Sequence, residues 1–295
     1  MRRPLARRRL RLAPLLAIAP LLSGLAAPAR GSDTPAAAPA PKVAPLPKRA
    51  LVDHVRVAAG GKQWSGFPLA KPAAGGLALL TDDGRVALLG RTQKIEPLET
   101  TQRPLSSVPA AGLATGLAHA DEAVRDRCEQ LLLEQGDLAQ PALAAAATDA
   151  SAEARRRALT IAAKLAPAAP KAATPWIARA RARLTDVDES VRRAALSAYV
   201  ASGADDVRVR CEDLLQFDES LRVRHDAIVQ LGRSGDLRAV DSLLAELPEC
   251  EERSLKVAAF DSLRRLTGKN YGRDEARWRA WWRNHRFELV RDPAR

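Results

Sequence analysis

Histidines and glycine-rich stretches are where catalysis or metal binding would first be sought in this sequence. The four histidines are His54, His119, His225 and His285, and no two stand four residues apart, as a metal site on one helix face would need. The sequence contains no HExxH, P-loop, GxSxG or dinucleotide-binding motif. The stretch GGKQWSG at residues 60–66 lacks the Ser or Thr that follows the lysine of a phosphate loop. We therefore predict a protein that is not an enzyme and has no catalytic, metal or cofactor site.

The three cysteines are widely spaced, at Cys128, Cys211 and Cys250, and form no Cys-x-x-Cys or His/Cys cluster. We expect Cys128 and Cys211 to be small buried residues, as free cysteines usually are. A disulfide between them would require the fold to bring them together.

Charge is distributed unevenly along the chain. Residues 121–150 carry a net charge of −5, and residues 151–185 carry eight basic side chains and one acid, a net charge of +7. The two segments could attract each other, or the basic one could form a patch for an acidic partner or a polyanion. The arginines of such a partner-binding patch would be Arg155, Arg156, Arg157, Arg179, Arg181 and Arg183.

The first 29 residues have the order of a secretory signal peptide: an arginine-rich start, an apolar run from Leu12 to Leu25, and Ala-Pro-Ala at 27–29. The apolar run is shorter than the roughly 20 residues that cross a bilayer. These residues contain six arginines and no acid, so their removal would lower the net charge from +12 to +6. We predict export to the periplasm or the extracellular space, with no stable membrane span after cleavage. An uncleaved anchor is the alternative.

Residues 30–50 are rich in Pro and Ala, which predicts a disordered linker. Within residues 51–110, two apolar runs flank Asp83-Gly84, a dipeptide suited to the type I′ turn of a β-hairpin. We therefore predict a small β-containing segment, to which LVDHVRVAAGG at residues 51–61 could add a strand.

From about residue 111 the pattern becomes helical and repeats itself. Each copy has an acidic or capping residue, an apolar residue three positions later, a basic residue next, and a small residue at the seventh position. The copies begin at Asp121, Ser151, Asp188, Asp218 and Glu252, and His225 takes the small-residue position of the fourth. Asp or Ser suits a helix N-terminus, Arg four residues on can pair with it, and the spacing of the apolar residues predicts one buried face.

The motif Asp-x-x-Val-Arg-x-x-(small residue), heading paired helices, resembles the HEAT-repeat family in its short bacterial form. The resemblance covers about residues 115–268 and implies stacked helical hairpins whose Asp and Arg side chains bridge successive repeats. It implies such a ladder at Asp121, Arg125, Asp188, Arg192, Asp218 and Arg222. Ser151 and Lys256 depart from the pattern, so the ladder is not implied at the second and fifth copies.

The C-terminal residues 269–295 contain Trp278, Trp281 and Trp282, which would share one helix face. Interleaved arginines could indicate nucleic-acid stacking, but the last repeat of an array also needs a cover. We predict that this segment is a helical cap.

The predicted fold class is all-α: an α-solenoid of about five helical hairpins at residues 111–268, preceded by a small β-hairpin-containing segment. The predicted function is an exported, non-catalytic scaffold that binds a protein partner, which could be acidic. No nucleic acid is expected if the protein is exported. The alternative is a HEAT-like enzyme or a nucleic-acid-binding module that uses the basic face of residues 151–185.

Overall fold

The structure is a computed structural model that describes residues 51–72, 75–90, 94–168, 170–249 and 252–291. The expected signal peptide at residues 1–29 and the linker at 30–50 therefore lie outside the described residues, as does Cys250.

Five antiparallel strands form one sheet at the N-terminal side of the described chain, in the order β4-β3-β2-β1-β5. The strands are β1 (Leu51–Ala59), β2 (Lys62–Ala70), β3 (Leu77–Thr81), β4 (Val86–Leu89) and β5 (Glu96–Pro104). Four of them form a meander, and β5 returns to pair with β1, from Leu51 opposite Pro104 to Ala58 opposite Glu96. Pro68 lies at a register shift between β2 and β3, a place where a missing backbone N–H is tolerated.

The all-α prediction is therefore wrong, because the chain combines a five-stranded sheet with its helices and is not a pure solenoid. The hairpin around Asp83-Gly84 is present between β3 and β4, but its loop runs through four residues, 82–85, and is longer than a two-residue type I′ turn. Thr81 closes this loop, since its N–H donates to the Arg85 carbonyl over 2.8 Å and its carbonyl accepts from the Gly84 N–H.

Helices occupy most of the chain from residue 110 onwards. They are α1 (Ala110–Gly116), α2 (Glu122–Gln135), α3 (Gln140–Ala146), α4 (Ala152–Leu165), α5 (Pro170–Arg183), α6 (Glu189–Ala201), α7 (Val207–Phe217), α8 (Leu221–Arg233), α9 (Ala239–Glu249), α10 (Arg253–Thr267) and α11 (Glu275–Arg291). From α2 onwards they form successive pairs. The first helices of the pairs (α2, α4, α6, α8 and α10) each pack against the next first helix.

The sheet and the helices share one core. Phe67 and Leu80 from the sheet are buried in the same cluster as Leu113 and Leu131 of α1 and α2. The approach is close where α1 crosses the β3–β4 turn, since a Cβ added at Gly112 would lie 2.3 Å from the Gly84 carbonyl oxygen. Glycine at this position lets the helix reach the turn.

Buried positions recur along the first helices at fixed distances from each N-cap. The N-caps are Asp121, Ser151, Asp188, Ser220 and Glu252. The residues three positions later are all buried: Val124, Ala154, Val191, Val223 and Leu255. The residues seven positions later are also buried: Cys128, Ala158, Ala195, Ala227 and Ala259.

The fourth copy therefore begins at Ser220, two residues after the predicted start at Asp218. Leu221, which the sequence alignment assigned to a buried position, is exposed, and His225 is partly exposed. The small-residue position that His225 was expected to take belongs to Ala227. The near-identical strings DESVR and DESLR are thus not structurally equivalent.

Candidate protein-binding grooves

An open groove of about 420 Å³ lies between the turn from α5 to α6 and the C-terminal end of α7. We call it the corner groove, and it is lined by Leu184, Thr185, Asp186, Val187, Arg192, Asp213, Leu214, Phe217, Asp218 and Glu219. Its floor contains the buried Leu184 and Leu214, but Val187 is 91% exposed and Phe217 is 74% exposed. Two large apolar side chains thus stand in solvent beside one concave surface.

Beneath this groove, a buried ion pair joins two successive helix pairs. Arg192 of α6 donates from Nε and Nη2 to the two carboxylate oxygens of Asp218, over 2.8 and 2.9 Å. The Asp218 carboxylate also accepts from the Ser220 N–H at the start of α8, over 2.8 Å. The fork therefore fixes the turn that carries Phe217.

The same arrangement joins the preceding pairs. Arg155 of α4 donates from Nε and Nη2 to Asp186 over 2.9 and 2.8 Å, and both side chains are buried. Burial opposes ionisation of Asp186, but the hydrogen bonds from Arg155 and from the Asp188 N–H outweigh it and lower its pKa. This turn carries Val187. Val187 directly follows Asp186, and Phe217 directly precedes Asp218, so each exposed apolar residue is next to the carboxylate of a buried ion pair.

Each ladder arginine also satisfies backbone groups of its own turn. Nη1 of Arg125, Arg155 and Arg192 donates to the carbonyls six and five residues earlier. The accepting residues are His119 and Ala120, Asp149 and Ala150, and Asp186 and Val187.

Of the acceptors that the resemblance implied, Asp218 bridges successive repeats, and Asp121 and Asp188 do not. Asp186 and Asp218, each two residues before an N-cap, accept from the preceding repeat, whereas Asp121 and Asp188 cap their own helices through backbone N–H groups. Arg222 is exposed and pairs with Glu189 over 2.8 Å. Sequence reasoning missed Asp186, although the spacing Asp-x-Asp at 186–188 and Asp-x-Ser at 218–220 contained the signal.

The corresponding ion pair between the first two helix pairs, Arg125–Glu153, is longer than the others. Arg125 Nε lies 3.7 Å from Glu153 Oε1 and is buried without a hydrogen-bond partner. At the far end, Arg224, which stands four residues after Ser220, pairs with Glu246 and donates to the Leu215 carbonyl. The two bidentate ion pairs, Arg155–Asp186 and Arg192–Asp218, thus lie at the corner groove.

The basic segment of α4 pairs with carboxylates within the molecule. Arg157 is buried and donates to Asp126 and Glu129 of α2 over 2.8 Å each, and to Glu153 over 2.6 Å. Arg156 is partly exposed and forks onto Glu153. The opposite charges of residues 121–150 and 151–185 therefore meet between α2 and α4.

The arginines of α5 have different surroundings. Arg179 lies over the Trp176 ring, 5.5 Å from its centroid, in a shallow groove of about 340 Å³ between α3 and α5. Arg183 lies 3.5 Å from Asp186, and Arg181 is exposed. The six predicted partner-binding arginines thus do not lie on one surface.

A third groove, of about 450 Å³, lies between α9 and α11. Trp282 is buried at its edge and donates from Nε1 to Asp241 of α9 over 2.6 Å. Trp278 is also buried and donates to the Gly272 carbonyl, while Trp281 is partly exposed and stacks on His285. Trp282 therefore attaches α11, the second helix of the last pair, to α9, whereas Trp278 contacts the loop before α11 and Trp281 contacts α11 itself.

One cluster at the sheet contains the Ser, His and Asp of a hydrolase triad, but Asp82 lies between Ser65 and His54. Asp82 accepts from Ser65 Oγ over 2.5 Å and lies 2.7 Å from His54 Nε2. Burial opposes ionisation of Asp82, but the hydrogen bonds from Ser65 and His54 outweigh it and lower its pKa. Nucleophilic catalysis requires the histidine to contact the serine, whereas here the carboxylate separates them. The cluster therefore does not present His54 to Ser65 as a base.

Cys128 and Cys211 are buried free cysteines, and burial raises the pKa of each thiol to about 12. Within the described ranges, no three His, Cys, Asp or Glu side chains are grouped so that they could hold a metal ion. Among those same residues, no helix combines the length and apolar character needed to cross a membrane.

Comparison with known proteins assigns no family. No protein-family model matches the chain, and no curated protein shows a significant match.

Proposed function

We propose that this protein is an exported, non-catalytic scaffold that binds a protein partner through the grooves of its stacked helix pairs. The observation that carries the proposal is the exposure of Val187 and Phe217 beside the corner groove. Phenylalanine is enriched at protein interfaces, and apolar anchors in concave sites supply much of the binding energy.

The ladder supports this proposal because it makes the groove rigid before a partner arrives. The bidentate pairs Arg155–Asp186 and Arg192–Asp218 hold the turn that carries Val187 and the end of α7 that carries Phe217. A preorganised surface loses less conformational entropy on binding than a mobile one. An exposed apolar pair on fixed turns is therefore suited to recognition.

The nucleic-acid alternative has less support. It relies on the basic side chains of residues 151–185, but Arg155 and Arg157 are buried and paired with carboxylates. Phosphate binding by these two side chains would require those pairs to break, at a cost that is high for buried charges.

The test is affinity capture from native cells with the tagged protein, its Val187→Ser/Phe217→Ser variant and a Leu138→Ser control. Leu138 is also exposed, at 63%, but lies outside all three grooves. We expect a partner that is retained by the wild type and the control and lost from the double variant. Equal capture by all three proteins would contradict the proposed role of the groove. Export is tested separately, by locating the protein in fractionated cells.

A further inference from the structure

The groove between α9 and α11 has chemistry that the corner groove lacks. We call it the arginine groove, and it is lined by Asp241, Leu244, Ala245, Arg279, Trp282, Arg283 and Arg286. Arg279, Arg283 and Arg286 are spaced four and three residues apart, so they follow one face of α11. Three guanidinium groups thus line one side of a single groove.

Two of these arginines have no carboxylate partner among the residues that the structure describes. Arg279 pairs with Glu275 over 2.7 Å and donates to the Leu244 carbonyl over 2.5 Å. Arg283 and Arg286 are exposed and form no ion pair with any carboxylate of the described residues. Like charges three residues apart on a helix repel one another, so this arrangement is unfavourable until an anion neutralises it.

The groove's own acid is already engaged. Asp241 accepts the Trp282 Nε1 hydrogen at 2.6 Å, and this bond holds α11 on α9. Among the described residues, Asp241 forms no ion pair with Arg283 or Arg286, so both guanidinium groups remain available to a partner.

We propose that the arginine groove binds an acidic segment of a protein, with one carboxylate on Arg283 and another on Arg286. Guanidinium groups bind carboxylates through paired hydrogen bonds, and neighbouring arginines one turn apart match two carboxylates with similar spacing. Such spacing occurs at positions i and i+3 of a helix, with side chains about 5–6 Å apart. The occupant is therefore a segment of the form Glu-x-x-Glu.

The aromatic residues favour a peptide over a nucleic acid. Single-stranded nucleic acids bind by stacking their bases on exposed aromatic faces. Here Trp282 and Trp278 are buried, Tyr271 meets Trp278 edge to face at 5.0 Å, and Trp281 is stacked on His285 at 5.2 Å. The faces of these rings contact other protein groups. Phe287 is exposed, but Arg286 lies over its ring, 4.6 Å from the centroid, so this arginine covers one of its faces.

The experiment measures fluorescence anisotropy of a labelled 14-residue alanine-based peptide with one Glu-x-x-Glu pair, against its Gln-x-x-Gln version. The proteins are the full chain, Arg283→Glu/Arg286→Glu, and the charge-matched control Arg264→Glu/Arg265→Glu on α10. All four arginines are exposed, so neither variant is expected to unfold the protein, and circular dichroism checks this.

We expect the Glu peptide to bind the full chain at low salt and the Gln peptide to bind at least tenfold more weakly. Arg283→Glu/Arg286→Glu should weaken binding of the Glu peptide at least tenfold, and the α10 control less than twofold. Arg283→Lys/Arg286→Lys keeps the charge but loses the paired hydrogen bonds. Its affinity for the Glu peptide should therefore lie between that of the full chain and that of Arg283→Glu/Arg286→Glu.

Three results would overturn the proposal: no binding of the Glu peptide, equal weakening by both charge-reversal variants, or tighter binding of single-stranded DNA of the same charge. The first would show that the groove binds no acidic segment, the second that the effect is only net charge, and the third that the occupant is nucleic acid. None of these results depends on the corner groove, so the proposed function is tested independently.

Discussion

Arg192 and Asp218 form a two-bond fork across successive helix pairs, and their side chains are only 7% and 5% exposed. Most ion pairs on a protein surface contribute little to stability, but a buried pair leaves an uncompensated charge when one partner is lost. This fork therefore makes the joint between the α6–α7 and α8–α9 pairs sensitive to single substitutions.

Asp218→Ala should lower the free energy of unfolding by about 3–5 kcal/mol, because buried Arg192 would retain only the exposed Glu219 carboxylate, 3.8 Å away. Arg222→Ala should cost at most about 1 kcal/mol, since Arg222 is 74% exposed in its pair with Glu189. Urea denaturation of both variants measures the difference. Equal losses of unfolding free energy in the two variants would favour the sequence-based prediction that Arg222 belongs to the ladder.

Gly232→Ala should destabilise the protein although alanine is the better helix former. A Cβ at Gly232 of α8 would lie 2.5 Å from Ser262 Oγ and 2.8 Å from Ser262 Cα on α10. Forced overpacking typically costs about 1–3 kcal/mol, which exceeds the gain of up to about 1 kcal/mol from helix propensity. Thermal denaturation measures whether the substitution lowers or raises Tm. A higher Tm for Gly232→Ala would show that α8 and α10 are farther apart at this position.

Acid should remove the stabilising effect of Glu153. Hydrogen bonds from Arg156, opposed in part by burial and reinforced by Arg157, lower the pKa of Glu153 from 4.5 to about 2. A lowered native pKa gives stability that is complete above the unfolded pKa and is lost as pH falls from about 4.5 to about 2. Glu153→Gln should therefore lower the denaturation midpoint at pH 7, with a difference from wild type that shrinks towards pH 2. A difference that stays constant from pH 7 to pH 2 would contradict the lowered pKa of Glu153.

Cys128 and Cys211 should not react with thiol reagents in the native protein. Burial raises both pKa values from 9.0 to about 12, which reduces the thiolate fraction at pH 8 about 1000-fold. In a Cys250→Ser background, we expect labelling only when the protein is unfolded in urea. Rapid labelling of two thiols in native buffer would show that the helices open readily.

The helical pattern was readable from sequence because capping residues and buried apolar positions recur within single helices. The exact register was not, because the string Asp-Glu-Ser occurs at 188–190 and again at 218–220 with different roles. Asp188 caps α6, whereas Asp218 accepts from Arg192 and leaves the N-cap position to Ser220. The residue two positions later distinguishes them: the acceptors Asp186 and Asp218 are followed by the caps Asp188 and Ser220, a spacing that alignment on Asp-Glu-Ser overlooks.

The sheet was only partly predictable for a similar reason. The sequence of β5, EPLETTQRP, has no apolar alternation, and all nine of its residues are exposed. Its strand conformation comes from pairing with β1, some forty residues earlier in the chain. The corner groove was missed because Val187 lies in a turn and Phe217 at the end of α7, thirty residues later. Nothing local in the sequence shows that both are exposed beside one concavity.

The most direct test of the central claim is photo-crosslinking from position 217 in cells that make the protein. Benzoylphenylalanine replaces Phe217 in one protein and Leu138 in the control, since both side chains are exposed. Binding through the corner groove predicts a discrete protein adduct from position 217 that disappears when Val187→Asp is added, and no such adduct from position 138. The absence of an adduct at 217, or the same adducts from both positions, would contradict it.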